Sequence, residues 1–343
     1  MRLLDRIAQH PTPFRVEDPP TGAVTYLSGA ADYADALARC ATRYVLSDDL
    51  TRLCTALAYS KGARTLECAD LLHIPATELW MEWSEAPWRE ELALHGMARS
   101  DVVSSSGRRG AWVRASRDGR RGVLRTFWTV GEREIDVLAS CMEAYFDLDT
   151  EEEEPEPLDL ALGSSGHENR GAFAVSNHDG DADLLRQCFR FRYEQSWANY
   201  YARAQLSVLE QRAIAYHALG TIAIDIPVLL AFFLLLGTRS SLPQRPLTLA
   251  RLNRARARLG KPPLLDHVEV LSPLTQPYLP TTREGVGVGR RSPRLHHVRG
   301  HLVRRGSQLF WRVPHMRGTA RSGVVRSRTV TWAFETPHAP APH

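Results

Sequence analysis

Apolar positions along the chain change period several times, and each change marks an element. From Ser28 to about residue 72 they recur every three or four residues, in "SGAADYADALARCATRY" and "SDDLTRLCTALAYSKG". Ser47 can cap the second of these helices and Gly62 can end it, so the segment predicts helices folded back as a helical hairpin. Beyond Pro75 the pattern becomes an aromatic-rich alternation, in "ELWMEWS", "GAWVRASRDG" and "RGVLRTFWTVG". A period of two marks half-buried strands, and "RDGRRG" reads as a turn between two of them. A small antiparallel sheet with helices on one face is expected.

Helical spacing returns from Asp181 to Leu236. In "DLLRQCFRFRYEQSWANYYARAQ" the aromatics Phe189, Tyr193, Trp197, Tyr200 and Tyr201 fall at helical intervals, which predicts a core stripe rather than a platform for stacking bases. The uninterrupted apolar run Val228 to Leu236 is too short to cross a bilayer. It follows Asp225-Ile226-Pro227, with proline near a first helical turn, so a buried core helix is expected and no membrane association. From Pro243 onward, "PLTLARLNRARARLGKPPLLDHVEVL" gives a short helix with Arg251, Arg254, Arg256 and Arg258, stopped by Gly260 and Pro262-Pro263, then a strand. "LHHVRGHLVRR", "QLFWRVPHMRG" and "SRTVTWAF" read as further strands, and "ETPHAPAPH" as a disordered tail.

Together these elements predict an α+β protein: an acidic helical body with a small antiparallel sheet, followed by a basic β-rich C-terminal module. The expected divisions are a helical region over 1–75, the sheet over 76–180 with an acidic loop at 149–171, a second helical region over 181–260, and the basic module over 261–343.

Charge sharpens that division. The 343 residues have a formal charge of +4, but residues 239 to 343 carry 19 Lys and Arg against four acids, which leaves −11 on the rest. Such asymmetry favours either docking of the two parts on each other or a basic module that binds a polyanion. Five cysteines, an odd number without a CxxC pair, suggest neither a disulfide framework nor a thiolate zinc site, and a reducing cytoplasm fits them. The N-terminal "MRLLDRIAQHPTPF" lacks the long apolar region of a signal peptide.

Candidate chemistry is sparse. "GVGVG" lacks the spacing of a dinucleotide fingerprint and no GxxxxGK[ST] occurs. Glu78 and Glu82 share a face on either a helix or a strand, which would suit acid–base work, although surface glutamates are the simpler reading. Trp80 and Trp83 beside them read as core or interface anchors. His296, His297, His301 and His315 lie among cations, an unfavourable setting for a metal, so no metal and no cofactor are expected.

The arginines are the stronger signal. Eleven occur from Arg290 to Arg328 with no Asp or Glu between them, interleaved with Phe310, Trp311 and histidines. Guanidinium forks pair with phosphates and flat rings stack on bases. On strands, Arg299, His301 and Val303 fall on one face and Arg304 on the other, so one face must meet acids or phosphate. Internal pairing with the acidic body is the alternative for these arginines, behind phosphate binding.

"RLNRARARLGKPPLLDHVEVL", "SPRLHHVRGHLVRR" and "WRVPHMRG" resemble a family of phage- and prophage-borne proteins with an Arg-His-Gly-rich C-terminal strand motif. More distantly they resemble the type V-A anti-CRISPR family, whose members reduce synthesis of the effector nuclease by recognising its nascent chain. Arg299-Gly300-His301 with downstream Trp311 is present, whereas Leu302 stands where the family usually has tryptophan. The similarity covers residues 251 to 318, with "IPATELWMEW" as a further element. It implies a mobile-element protein in the cytoplasm of a bacterial host that antagonises host defence.

Residues and resemblance lead to one expectation: a non-enzymatic protein that binds nucleic acid, RNA ahead of DNA, or a ribonucleoprotein or nascent chain. The contact residues would be Arg294, Arg299, His301, Arg304, Arg305, Trp311, Arg312 and Arg317. Two alternatives stay open: a nuclease using His297, His301 or His315, and a virion or assembly protein whose basic sheet meets an acidic subunit.

Overall fold

The computed structural model describes residues 1–17, 21–59, 70–95, 107–130, 136–149, 188–204, 206–238, 242–273, 294–298, 301–306, 308–312, 315–317 and 319–324. In chain order its helices are α1 (Leu3–Gln9), α2 (Ala31–Arg39), α3 (Asp48–Tyr59), α4 (Glu85–Leu94), α5 (Gln195–Arg203), α6 (Val208–Ala223), α7 (Ile226–Leu236) and α8 (Ala250–Arg258). A two-stranded ribbon pairs β1 (Phe14–Glu17) with β2 (Val24–Leu27). The main sheet comprises β3 (Thr42–Leu46), β4 (Glu78–Ser84), β5 (Arg108–Ala115), β6 (Arg121–Val130), β7 (Asp136–Ala139), β8 (Met142–Asp147), β9 (Phe189–Tyr193), β10 (Gln244–Leu247) and β11 (His267–Val270). Its order is β10-β11-β3-β4-β5-β6-β8-β9, with β7 also paired to β6. β12 (Arg294–Val298), β15 (His315–Arg317) and β16 (Thr319–Val324) form one small sheet, and β13 (His301–Arg305) with β14 (Gln308–Arg312) another.

The chain is therefore an α+β protein, but its sheet is larger than the small antiparallel one expected, and it is mixed. β11, β3 and β4 run parallel, while β4 through β9 and the β10–β11 pair are antiparallel. Parallel neighbours require a crossover, and α3 supplies it between β3 and β4. The expected helical hairpin over residues 28 to 72 does not form, because "TRYVL" is strand β3 and separates α2 from α3. The region drawn over 1–75 thus contributes a central strand. β11, drawn with the C-terminal module, also pairs into this sheet.

Strand β4 explains why helices cover both faces. Leu79, Trp80, Met81, Glu82 and Trp83 are all fully buried, so neither face of this strand can meet water. On one side Trp80 packs with Trp112, Phe127, Leu3, Ile7 and Leu37, beneath α1 and α2. On the other, Leu79, Met81 and Trp83 join a larger core with residues of α3, α6 and α7. Gly110 of β5, across from Glu82, admits the Trp80 ring: a Cβ there would lie 2.4 Å from Trp80 Cζ2.

β9 departs from expectation instructively. "FRFRY" was expected within a helix, yet Phe189, Phe191 and Tyr193 face inward and Arg190 and Arg192 stand half-exposed, a period of two. The four-residue steps from Phe189 to Tyr193 to Trp197 mimic a helix because two strand repeats and one helical turn both span about four residues. The helix proper begins at Gln195. Trp197 and Tyr201 stack at 5.7 Å and pack against the main core, so the predicted core role of those rings holds.

Helix α7 forms as its sequence implies, with Pro227 in the first turn and its apolar residues buried against the sheet. The stretch Ala218–Leu236 is long and apolar enough to cross a membrane, but most of it is buried inside the fold. Asp225 does not cap α7 with its side chain. Its carboxylate instead receives a fork from Arg109 of β5, Nε to Oδ1 at 2.9 Å and Nη2 to Oδ2 at 2.7 Å. Arg109 lies over the Trp88 ring at 4.5 Å. This pair ties the apolar helix to the sheet in a fixed orientation.

Glu82 corrects another expectation. The structure has no surface glutamate at this position: its oxygens accept the amides of Leu3 at 2.9 Å and Leu4 at 3.0 Å, Trp80 Nε1 at 3.3 Å, and Arg108 Nε. With every acceptor position engaged, the carboxylate anchors α1 to the sheet and is not arranged for acid–base chemistry. Burial alone would raise its pKa, but Arg108 and the two amides hold it below the ordinary value of 4.5. A carboxyl depressed in the folded state stabilises the fold above its unfolded pKa, and that stabilisation is lost as pH falls through the folded pKa. Glu82→Gln is therefore expected to cost about 1–3 kcal/mol near neutral pH. The melting difference from wild type should shrink as the pH is lowered below 4.5. A difference that stays constant down to the acid limit of folding would show that the charge of Glu82 contributes nothing.

Candidate nucleic-acid interface

β13 and β14 form a hairpin whose turn includes Gly306, with φ +61°, a conformation that favours glycine. Its register sets Leu302 opposite Trp311, Arg304 opposite Leu309, His301 opposite Arg312, Val303 opposite Phe310 and Arg305 opposite Gln308. Cross-strand partners share a face, so the hairpin sorts into two sides. Leu302, Arg304, Leu309 and Trp311 form the first; His301, Val303, Arg305, Gln308, Phe310 and Arg312 form the second.

The first side docks on the body. Leu309 and Trp311 are each 5% exposed and belong to the main hydrophobic core, with Leu302 packed against it. Trp311 is thus a docking anchor, and its expected role as a contact for bases is corrected: a ring so buried offers no face to a ligand. Arg304, at the margin of this side, reaches Asp70 with a bidentate pair, Nη1–Oδ1 at 2.8 Å and Nη2–Oδ2 at 2.6 Å. For this arginine the internal-pairing alternative is the observed one. Both groups are substantially exposed, so the pair orients the hairpin more than it stabilises it.

The second side faces solvent. His301, Arg305, Gln308 and Arg312 are exposed, with Phe310 and Val303 half-buried between them. The Arg305 guanidinium lies 5.9 Å from the Phe310 ring centre. Neither Arg305 nor Arg312 forms an ion pair with a carboxylate of the described residues. The arrangement offers two guanidinium groups, an imidazole, an amide and part of an aromatic ring on one small surface, the donor set that meets phosphate and base.

The other expected contact residues are less defined. Arg294 lies on β12 across from Thr319 of β16, and Arg317 lies on β15 across from His296. Arg299, the acidic segment from residue 150 to 171, the strand "SRTVTWAF" and the C-terminal tail lie outside the described residues. The histidines proposed for a nuclease are spread over two sheets: His301 is on β13, while on the β12–β15 pair His297 stands across from Met316 and His315 across from Val298. Among the described residues no group of three or more His, Cys, Asp or Glu is placed to hold a metal ion.

Elsewhere, the cleft between the sheet and α7 lined by Leu72, Ile74, Val113, Phe146 and Phe233 is apolar and has about 10 Å³ of room. That is about one water's worth of space and far below the hundreds of Å³ of a small-molecule site. Docking of the hairpin through Trp311 was the feature sequence reasoning missed. Alternation along "QLFWR" carried the signal, since Leu309 and Trp311 share one strand face. Comparison with family models, curated proteins and solved structures finds no match for this chain.

Proposed function

We propose that this protein binds RNA through the outward side of the β13–β14 hairpin, using Arg305, Arg312, His301 and Phe310, without catalysing a reaction of its own. The reading rests on one observation: the hairpin spends its apolar side and Arg304 on docking, and keeps two arginines free of carboxylate partners among the described residues. A solvated strand face needs only generic polarity. Two guanidinium groups around a ring instead match a phosphate backbone with an adjoining base. Arg294, Arg299 and Arg317 would extend that surface. The resemblance to phage-borne and anti-CRISPR proteins suggests that the bound RNA or ribonucleoprotein belongs to a bacterial host, where binding would antagonise its defence.

The test is a titration of labelled single-stranded RNA and duplex DNA with the full chain at two salt concentrations. Binding to RNA should weaken steeply with salt, each neutralised phosphate of a single strand contributing about 0.7 to the slope of log affinity against log salt. Arg305→Gln with Arg312→Gln should reduce that slope by about 1.4 and leave melting unchanged. Absence of RNA binding at low salt removes the proposal.

A further inference from the structure

Helix α8 leaves the main sheet between β10 and β11 and contributes to no core: none of its residues is buried. A helix of nine residues is marginal on propensity alone, so its attachments matter. Asn253 donates to the carbonyl of Leu264 and accepts its amide, both at 2.8 Å. Arg256 Nε donates to the Pro262 carbonyl at 2.8 Å, and the Leu249 amide to Asp266 at 2.7 Å. β10 and β11 pair over four residues at the base of this excursion.

These attachments fix which side of α8 looks outward. Asn253 marks the inner side. Arg251, Arg254 and Arg258, at positions i, i+3 and i+7, project from the far side within an arc of about 60° and over about 10 Å of helix. All three are exposed, and no ion pair or hydrogen bond reaches their guanidinium groups from the described residues. By contrast, nearby Arg245 is paired with Glu269. The fold thus holds a short helix out from the sheet, and no carboxylate of the described residues neutralises its three outermost cations.

We propose that this arginine ridge is a second RNA contact, gripping the sugar-phosphate backbone without reading bases. This rests on the RNA-binding reading above and extends it to a site remote in sequence from the hairpin. Guanidinium forks suit phosphate oxygens better than ammonium groups would. The intervening Ala255 leaves the ridge open to close approach, and α8 has no aromatic ring on which a base could stack. Leu252 and Leu259 stand exposed to one side of the ridge. Two leucines do not make the broad apolar face of a helix that lies in a lipid surface.

The experiment uses the full chain with Arg251→Gln, Arg254→Gln and Arg258→Gln combined, since glutamine keeps helix propensity near that of arginine. Affinity is measured for labelled single-stranded RNA across a salt series, beside the Arg305→Gln/Arg312→Gln chain, with melting followed on each. The expected result is an affinity loss on the order of ten-fold or more at low salt and a salt slope lower by about 2, equal across RNA sequences. If wild type binds no RNA, the RNA-binding reading fails and takes the ridge with it. If wild type binds and the hairpin variant weakens while the ridge variant keeps wild-type affinity and slope, the ridge alone is overturned. It is overturned equally if affinity drops with the slope unchanged, or if the ridge variant loses only binding to vesicles of anionic lipid.

Discussion

Asp225→Asn should destabilise the fold by about 3–5 kcal/mol, the expected cost of removing one partner from a buried ion pair. Asp225 is fully buried and its carboxylate holds both arms of the Arg109 fork. Burial pushes the carboxyl upward and Arg109 opposes that shift, so the two groups are compensated only together. With asparagine in place, the guanidinium keeps the Thr221 carbonyl and the face of Trp88 but loses its counter-charge. A double replacement, Arg109→Met with Asp225→Leu, should recover much of the loss, because apolar side chains of similar volume require no pairing. Urea unfolding of the three chains measures this, read from the midpoint at constant slope. A single variant within about 1 kcal/mol of wild type would mean that the pair is solvated.

Trp311→Ala is expected to cost about 3–5 kcal/mol where the hairpin meets the body, the usual range for emptying a buried aromatic site. The loss should be local: the hairpin would detach, and RNA affinity would fall although Arg305 and Arg312 are intact. Trp311→Leu separates docking from recognition. Leucine keeps the side shared by Leu302 and Leu309 apolar, so RNA binding should survive with a modest drop in melting. Binding abolished in a Trp311→Leu chain with wild-type melting would mean that the indole touches the ligand and that the docked position is not the one used.

Much of the local structure was legible because its cause is local. Pro227 near a helix start, the turn "RDGRRG", the stop at Gly260 and the aromatic and β-branched runs of β4, β5, β6 and β11 are each written in neighbouring residues, and each element formed, although β4 is buried on both faces and not half-buried as its pattern implies. Two readings failed for a shared reason. Local spacing puts "TRYVL" at the end of a helix and "FRFRY" in a helical stripe, because short apolar runs satisfy both periods and only pairing partners decide between them. β3 is a strand because β11 and β4 flank it, and β9 because β8 does.

The sequence by itself determined the α+β class, the apolar core helix α7 and the concentration of arginine in the last third of the chain. It also determined the alternation that makes β13 and β14 two-sided. Only the tertiary structure decided which side docks, for that depends on an apolar core to which elements distant in the chain contribute. The same holds for charge. Glu82 and Asp225 look alike in composition to surface acids, yet both are buried, each defined by a single arginine brought from β5. Arg304 is neutralised by Asp70, some 234 positions away, while Arg305 next to it faces solvent. Ion pairs act over a few ångströms in space with no regard for sequence separation, so which arginines remain available to a ligand is settled only once the chain has folded.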